Sequence, residues 1–250
     1  MSDDGEWEFY PCVVDHRPAS IFVNLSHEHA RPTSSTSTRY WLRIQLSDAA
    51  PHGMGASSEA DALFPPEDAI TASVVDVGLL FVGRLRSNGS WDLTFYGPAG
   101  RDDALNAIAR EADLGGRSFV TGSKPDPEWT YYREFLLPDA ERRQWMQDRR
   151  VVEAFEEHGD VHSIPRRVDH WAYFRAPTWR RAFVRDASEQ GFTLEGTSDA
   201  PHNFGVQVFR TDSVELDHIH QVVMTLFKLA DHHGGYYDGW EAPVEKPPPN

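Results

Sequence analysis

The chain has 250 residues, 40% of them hydrophobic and 12% aromatic, and its 39 acids against 24 Lys and Arg give a formal net charge of −15. That length supports one large domain or two small ones, and the apolar content excludes wholesale disorder. The charge leaves no basic surplus for nucleic-acid binding, and the lone cysteine, Cys12, excludes a disulfide framework within the chain.

Residues 1–138 carry 20 acids and 11 bases, and residues 139–250 carry 19 and 13, so both halves are acidic. No direct nucleic-acid contact and no association with anionic membrane are expected; a basic protein surface is the natural complement, unless the charge serves only solubility. The opening Met1 to Glu6 is acidic and polar, the reverse of a signal peptide, and the longest apolar stretch, Val77 to Gly83, is far below the ~18 residues of a membrane helix. A soluble, cytoplasmic protein is the expectation.

In chain order, Glu6–Tyr10 and Ala19–Leu25 read as strands around a His16-Arg17-Pro18 turn, followed by a polar loop from Ala30 to Thr38. Tyr40–Leu46 is a third strand. From about Ser58 to Val77 the pattern is helical, with a break expected at Pro65-Pro66. Leu79–Arg86 and Trp91–Tyr96 form a hairpin around Ser87-Asn88-Gly89-Ser90. A two-residue loop would set Leu85 against Asp92 and Arg86 against Trp91, so hydrophobic matching favours a three-residue loop with a bulge. Arg101–Leu114 is an amphipathic helix closed by Gly115-Gly116; strands follow near Arg117–Val120 and Tyr131–Leu137.

The second half repeats the grammar: a helix Ala140–His158, a strand Arg167–Arg175, a helix Trp179–Gln190, strands Phe192–Glu195 and Gly205–Arg210, and a long helix Glu215–His233. The expected fold is α+β: two ferredoxin-like sandwiches, each an antiparallel sheet with helices on one face, divided near Pro138-Asp139 into residues 1–138 and 139–250, with a loose Pro-rich tail from about Pro243.

Catalytic motifs are sparse. Gly53-Met54-Gly55 lacks the third glycine of a dinucleotide fingerprint, and no Walker loop, nucleophile elbow or Cys-x-x-Cys pair is present. Cys12 reads as a small strand residue. Eight of the twelve histidines follow residue 157, including His218, His220, His232 and His233, but on a helix neither pair projects to one side, so no metal, cofactor or catalytic residue is assigned. A metal-binding or hydrolytic enzyme using these histidines is the competing reading.

Two segments carry more. In Val168–Phe174 the alternation puts Val168, His170, Ala172 and Phe174 on one face and Asp169, Trp171 and Tyr173 on the other, either covered or offered to a partner. Gly234-Gly235-Tyr236-Tyr237-Asp238-Gly239-Trp240-Glu241 is either a clasp onto its own core or a binding loop. With Pro165–Phe174 and Gly191-Phe192, this terminal motif resembles the regulator of ribonuclease E activity B family over about residues 140–242. The resemblance implies a non-catalytic, ferredoxin-like protein inhibitor that binds a ribonuclease E-type partner. The positions offered as partner-binding are Asp169, His170, Trp171, Tyr173, Tyr237, Asp238, Gly239 and Trp240. Residues 1–138, through Trp7, Pro18–Ile21 and Trp91–Gly97, are similar to bacterial domain family 695 of unknown function, which implies no activity. A two-domain scaffold with another partner is the third reading.

Overall fold

A computed structural model describes residues 5–246, and the chain divides into two compact units, Met1–Arg142 and Arg143–Asn250. Among the described residues no helix is long and apolar enough to cross a membrane.

The first unit holds β1 (Trp7–Val14), β2 (Arg17–Asn24), β3 (Thr38–Gln45), α1 (Ser57–Asp76), β4 (Leu80–Ser87), β5 (Ser90–Gly97), α2 (Asp102–Glu111) and β6 (Phe119–Pro125). Its six strands are antiparallel in the order β1-β2-β4-β5-β3-β6. From β3 onward this is a strand-helix-strand-strand-helix-strand unit with order β6-β3-β5-β4, which is ferredoxin-like; the β1–β2 hairpin widens the sheet at the β4 edge. Tyr40, Leu42 and Ile44 of β3 and Trp91, Leu93 and Phe95 of β5 face Leu63, Ile70 and Val74 of α1 and Leu105 and Ala109 of α2.

Three local expectations are corrected. The β4–β5 hairpin adopts the two-residue loop after all: Ser87 pairs with Ser90, Arg86 with Trp91 and Leu85 with Asp92, while Asn88 (φ 51°) and Gly89 (φ 76°) take the left-handed conformation that suits an Asn-Gly turn. The bulge lies further on, between Phe81 and Gly83, and restores the apolar phase so that Phe81 meets Phe95. The price is Arg84 and Arg86 on the face of Trp91. Glu67 of α1 resolves it by accepting from Arg84 Nη1 (2.7 Å) and Trp91 Nε1 (2.6 Å), with the Arg84 guanidinium 4.2 Å from the indole centroid.

Helix α1 runs unbroken through Pro65 and Pro66. Pro65 and the residues four back, Asp61 and Ala62, are exposed, so water can take the carbonyls that the prolines leave without an N–H donor. Finally, Tyr132–Leu136 is a π-helical turn rather than a strand. Tyr132 and Leu136, four residues apart, are both fully buried, a helical spacing. Tyr10 Oη donates to the Leu136 carbonyl (2.8 Å) and Tyr132 Oη to that of Asn24 (2.5 Å), which holds this turn against the β1–β2 hairpin.

The second unit follows α3 (Ala140–Glu157) with β7 (Arg166–Phe174), α4 (Pro177–Glu189), β8 (Thr193–Ala200), β9 (Asn203–Asp212), α5 (Leu216–His232) and β10 (Gly235–Glu241). Its antiparallel order, β10-β7-β9-β8, is again ferredoxin-like. The core joins Val168, Ala172 and Phe174 of β7 to Phe183 and Ala187 of α4 and Ile219, Val223 and Leu226 of α5.

The chain remains anchored beyond the point where a loose tail is expected. Buried Arg166 pairs with the fully buried carboxylate of Asp160 and donates to the Pro243 carbonyl (3.1 Å), while the Glu245 carbonyl accepts from the Val161 N–H (2.8 Å) and the Glu245 N–H donates to Asp160 Oδ2 (2.7 Å). Pro247-Pro248-Pro249 lie outside the described residues.

Glu67→Ala leaves a largely buried arginine and an indole N–H without their acceptor, and is expected to destabilise the first unit by about 3 kcal/mol or more. Arg43→Gln takes the guanidinium from Asp92, a carboxylate 9% exposed, but at a position 50% exposed where water and the glutamine amide can replace it, and should cost less, about 1–2 kcal/mol. Urea denaturation of both variants checks the difference.

Candidate functional site

The alternation of β7 separates two chemistries. Arg166, Val168, His170, Ala172 and Phe174 point into the helix-covered core, and Arg167, Asp169, Trp171 and Tyr173 lie on the other face with intermediate or greater exposure. Cross-strand pairing extends this open face: Phe209 and Glu241 flank Asp169, Gln207 and Gly239 flank Trp171, and Gly205 and Tyr236 flank Tyr173.

One end of the face is polar. Arg167 grips Asp169 through both carboxylate oxygens (Nη2–Oδ1 2.7 Å, Nε–Oδ2 2.9 Å), reaches Glu195 (2.9 Å) and lies 4.0 Å from the Phe209 ring centroid. Gln207 Nε2 also donates to Asp169 (3.0 Å). The Arg167 hydrogen bonds hold the Asp169 carboxyl below its usual range. Along this stretch Asp169, Glu195 and Glu241 outnumber Arg167, so the face is acidic.

The other end is aromatic. Tyr173 stacks on Tyr236 (5.4 Å, 25°), and Gly205 makes room beneath it: a Cβ there would stand 2.9 Å from the Tyr173 ring and 2.4 Å from Ser198 Oγ. Tyr173 and Tyr236 wall a groove of about 490 Å³ together with Arg175, Trp179 and His202. Tyr236 is 54% and Trp179 44% exposed at its rim.

Three of the eight expected partner-binding positions are in the core instead. His170 has no exposure, and Tyr237 and Trp240 are 8% exposed. His170 Nδ1 and Tyr237 Oη share a hydrogen bond (2.8 Å), and His170 stands edge-on to Phe192 (5.5 Å). Trp240 Nε1 donates to Asp148 Oδ1 (3.0 Å), a carboxylate with no exposure that also accepts from Gln144 Nε2 (2.9 Å) and His220 Nδ1 (2.8 Å). The terminal motif is therefore a clasp at these two aromatics. The cause is a register shift in β10: Tyr237 pairs with Ala172 and Gly239 with Trp171, so Asp238 is the extra residue and both Tyr237 and Trp240 turn inward. Asp238 itself is exposed, Gly239 lies at the bulge beside Trp171, and Asp169, Trp171 and Tyr173 remain on the open face.

The histidine enrichment resolves into separate pairs. His218 meets Asp212 (2.9 Å), His220 meets Asp148 (2.8 Å) and His233 meets Asp186 (2.7 Å). Among the described residues no three His, Cys, Asp or Glu side chains converge so as to hold a metal ion. Sequence reading missed Phe209, Gln207, Tyr236 and Trp179 as companions of Trp171. The alternation Gly205, Gln207, Phe209 in β9 was the available signal for the first two.

Burial holds His170 neutral, lowering its pKa to about 4, so the unfolded chain binds the proton first as pH falls. This contribution to stability is complete above the unfolded value near pH 6.5 and lost between there and about pH 4, amounting to about 3 kcal/mol. Urea midpoints across that range should fall more steeply for the parent than for His170→Gln.

Comparison with known proteins bears on both units. Residues 145–242 match the family described as regulator of ribonuclease activity B, and residues 5–137 match a family of unknown function, DUF695. No curated protein matches the chain. Two solved structures are similar over most of their length. One is an unknown protein from Galdieria sulphuraria (10% identity, 84% of this chain and 99% of that one, TM-score 0.24). The other is a "putative glycine cleavage system transcriptional repressor" (8% identity, 83% and 99%, TM-score 0.27).

Proposed function

The chain belongs to the DUF695 family and carries behind that domain a regulator of ribonuclease activity B domain, and from this premise we propose that it is a non-enzymatic, cytoplasmic regulator that docks onto a ribonuclease E-type nuclease and slows RNA cleavage. The observation that supports this most directly is the open face of β7, β9 and β10, where Trp171, Tyr173 and Tyr236 sit beside Asp169 and Glu241 within the matched residues.

Such a face suits a basic protein surface. Aromatic side chains supply a desolvated anchor, and carboxylates at the rim steer the encounter and fix its register. Inhibition would then follow from occlusion: a basic region engaged by these carboxylates is no longer available to RNA phosphates. The groove between Tyr173, Tyr236 and Trp179 can take an apolar side chain of the partner, and Arg167 is already neutralised by Asp169 and Glu195, which leaves Glu241 and Asp238 at the edge as anions without an ion-pair partner among the described residues. The lone Cys12 suits a reducing compartment.

Two sets of substitutions separate docking from folding. Trp171→Ala and Tyr236→Ala should weaken capture of a purified ribonuclease E-type enzyme at least about tenfold while the melting temperature stays near that of the parent. Trp240→Phe, which strands the Asp148 carboxylate without one donor, should lower stability by about 1–3 kcal/mol and alter capture only as far as the fold is lost. Calorimetric titration with the nuclease and thermal melts measure both. Undiminished binding by Trp171→Ala and Tyr236→Ala together would remove this face from the reading.

A further inference from the structure

The open face of the first unit differs in charge from that of the second. Strand β3 places Arg39, Trp41 and Arg43 there, in register with Lys124, Gly122 and Val120 of β6. Gly122 lets the Trp41 indole lie flat on the neighbouring strand: a Cβ at that position would stand 2.3 Å from the ring. The Arg39 guanidinium is then held between two aromatics, 4.0 Å from the centroid of Tyr131 and 4.9 Å from that of Trp41. Stacking of this kind fixes the plane of the guanidinium and leaves its in-plane N–H donors free for an acceptor.

No acceptor is supplied. Among the described residues Arg39 has no carboxylate partner, and its buried Nε has no hydrogen-bond partner at all. Its cross-strand neighbour is Lys124, also without an ion-pair partner among the described residues, and like charges directly opposed in a ladder are unfavourable unless an anion lies between them. Asp126 is near but already committed: it accepts from Tyr96 Oη (2.5 Å) and from the backbone N–H groups of Thr130 (2.8 Å) and Tyr131 (3.0 Å). By contrast Arg43 has its carboxylate, gripped through three contacts to Asp92.

Two depressions meet at Arg39 and Tyr131. One, of about 400 Å³, is walled by Lys124, Pro125, Asp126, Pro127, Thr130 and the exposed Glu128, which forms no ion pair with either cation among the described residues; the other, of about 260 Å³, by Trp41, Arg43, Thr94 and the Asp92 carboxylate that Arg43 already engages. We propose that this cleft is a binding site for the phosphate group of a small ligand, with the Arg39 fork and the Lys124 ammonium as its two cationic arms. A dianion compensates both arms where a carboxylate compensates one, and the planar fork matches two phosphate oxygens. The ligand is small because the molecule's −15 charge repels an extended polyanion, while the cleft volume accepts a group of mononucleotide size. The site is independent of the docking face of the second unit, and neither proposal needs the other.

The test uses the full chain, with inorganic phosphate, AMP, acetate and a single-stranded oligonucleotide as probes, followed by the arginine Nε–Hε signals in 1H–15N NMR and by calorimetry. Phosphate or AMP should shift the Arg39 signal saturably, with acetate at least about tenfold weaker. Tighter binding of AMP than of inorganic phosphate identifies a nucleotide-like ligand; equal binding identifies the phosphate alone; both support the site. Arg39→Lys, which keeps the charge and removes the fork, and Lys124→Gln, at an exposed position, should each weaken binding about fivefold or more. If Arg39→Lys does not fold, Lys124→Gln carries the comparison. Unsaturable shifts, acetate binding as well as phosphate, an oligonucleotide binding more tightly than AMP, or Lys124→Gln binding like the parent would each overturn the proposal.

Discussion

Asp148 is a carboxylate without solvent that accepts N–H donors from three elements: Gln144 on its own helix, His220 on α5 and Trp240 on β10. A buried anion is tolerated only when its oxygens are fully engaged, so the position of β10 is specified as well as its existence. With Trp240 drawn inward to Asp148 and Tyr237 drawn inward to His170, the intervening Asp238 has to bulge, and the strand returns to register at Gly239 beside Trp171. The composition of the second sheet's open face, Tyr236 and Glu241 beside the β7 residues, follows from that clasp.

The two units share a strand order and differ in what their open faces offer. In the first, arginine, lysine and aromatic side chains are interleaved, and a turn from Tyr132 to Leu136 packs against part of the sheet. In the second, carboxylates and aromatics predominate. A net charge of −15 describes neither, because a whole-chain sum conceals cations that the sheet sets side by side from residues far apart in sequence, such as Arg39 and Lys124. One fold repeated in a single chain thus presents two surfaces with different binding chemistry, which is consistent with function lying in the side chains grafted on the sheet and not in the sheet itself.

Buried polar groups explain most of the sequence's unusual features. Of the histidines that suggest a metal by number, His218, His220 and His233 each meet a separate aspartate, and Glu67 is the acceptor that makes Arg84 admissible beside Trp91. Arg166 and Asp160 do the same for the segment through Glu245, which is why the chain remains ordered by contacts beyond β10.

The sequence by itself determined the α+β class, the repeated strand and helix order, and the two faces of β7, because periods of 2 and 3.6 are local properties of the chain. It misjudged the β4–β5 register, the prolines of α1 and the Tyr132–Leu136 turn, where local preference competed with contacts from elsewhere: an Asn-Gly turn dictated a pairing that only Glu67, some twenty residues earlier, makes acceptable. Tertiary structure alone decided that Tyr237 and Trp240 belong to the core while Tyr236 faces outward. A one-residue bulge reverses which side chains reach the surface, and its position is set by acceptors such as Asp148 that lie far away along the chain.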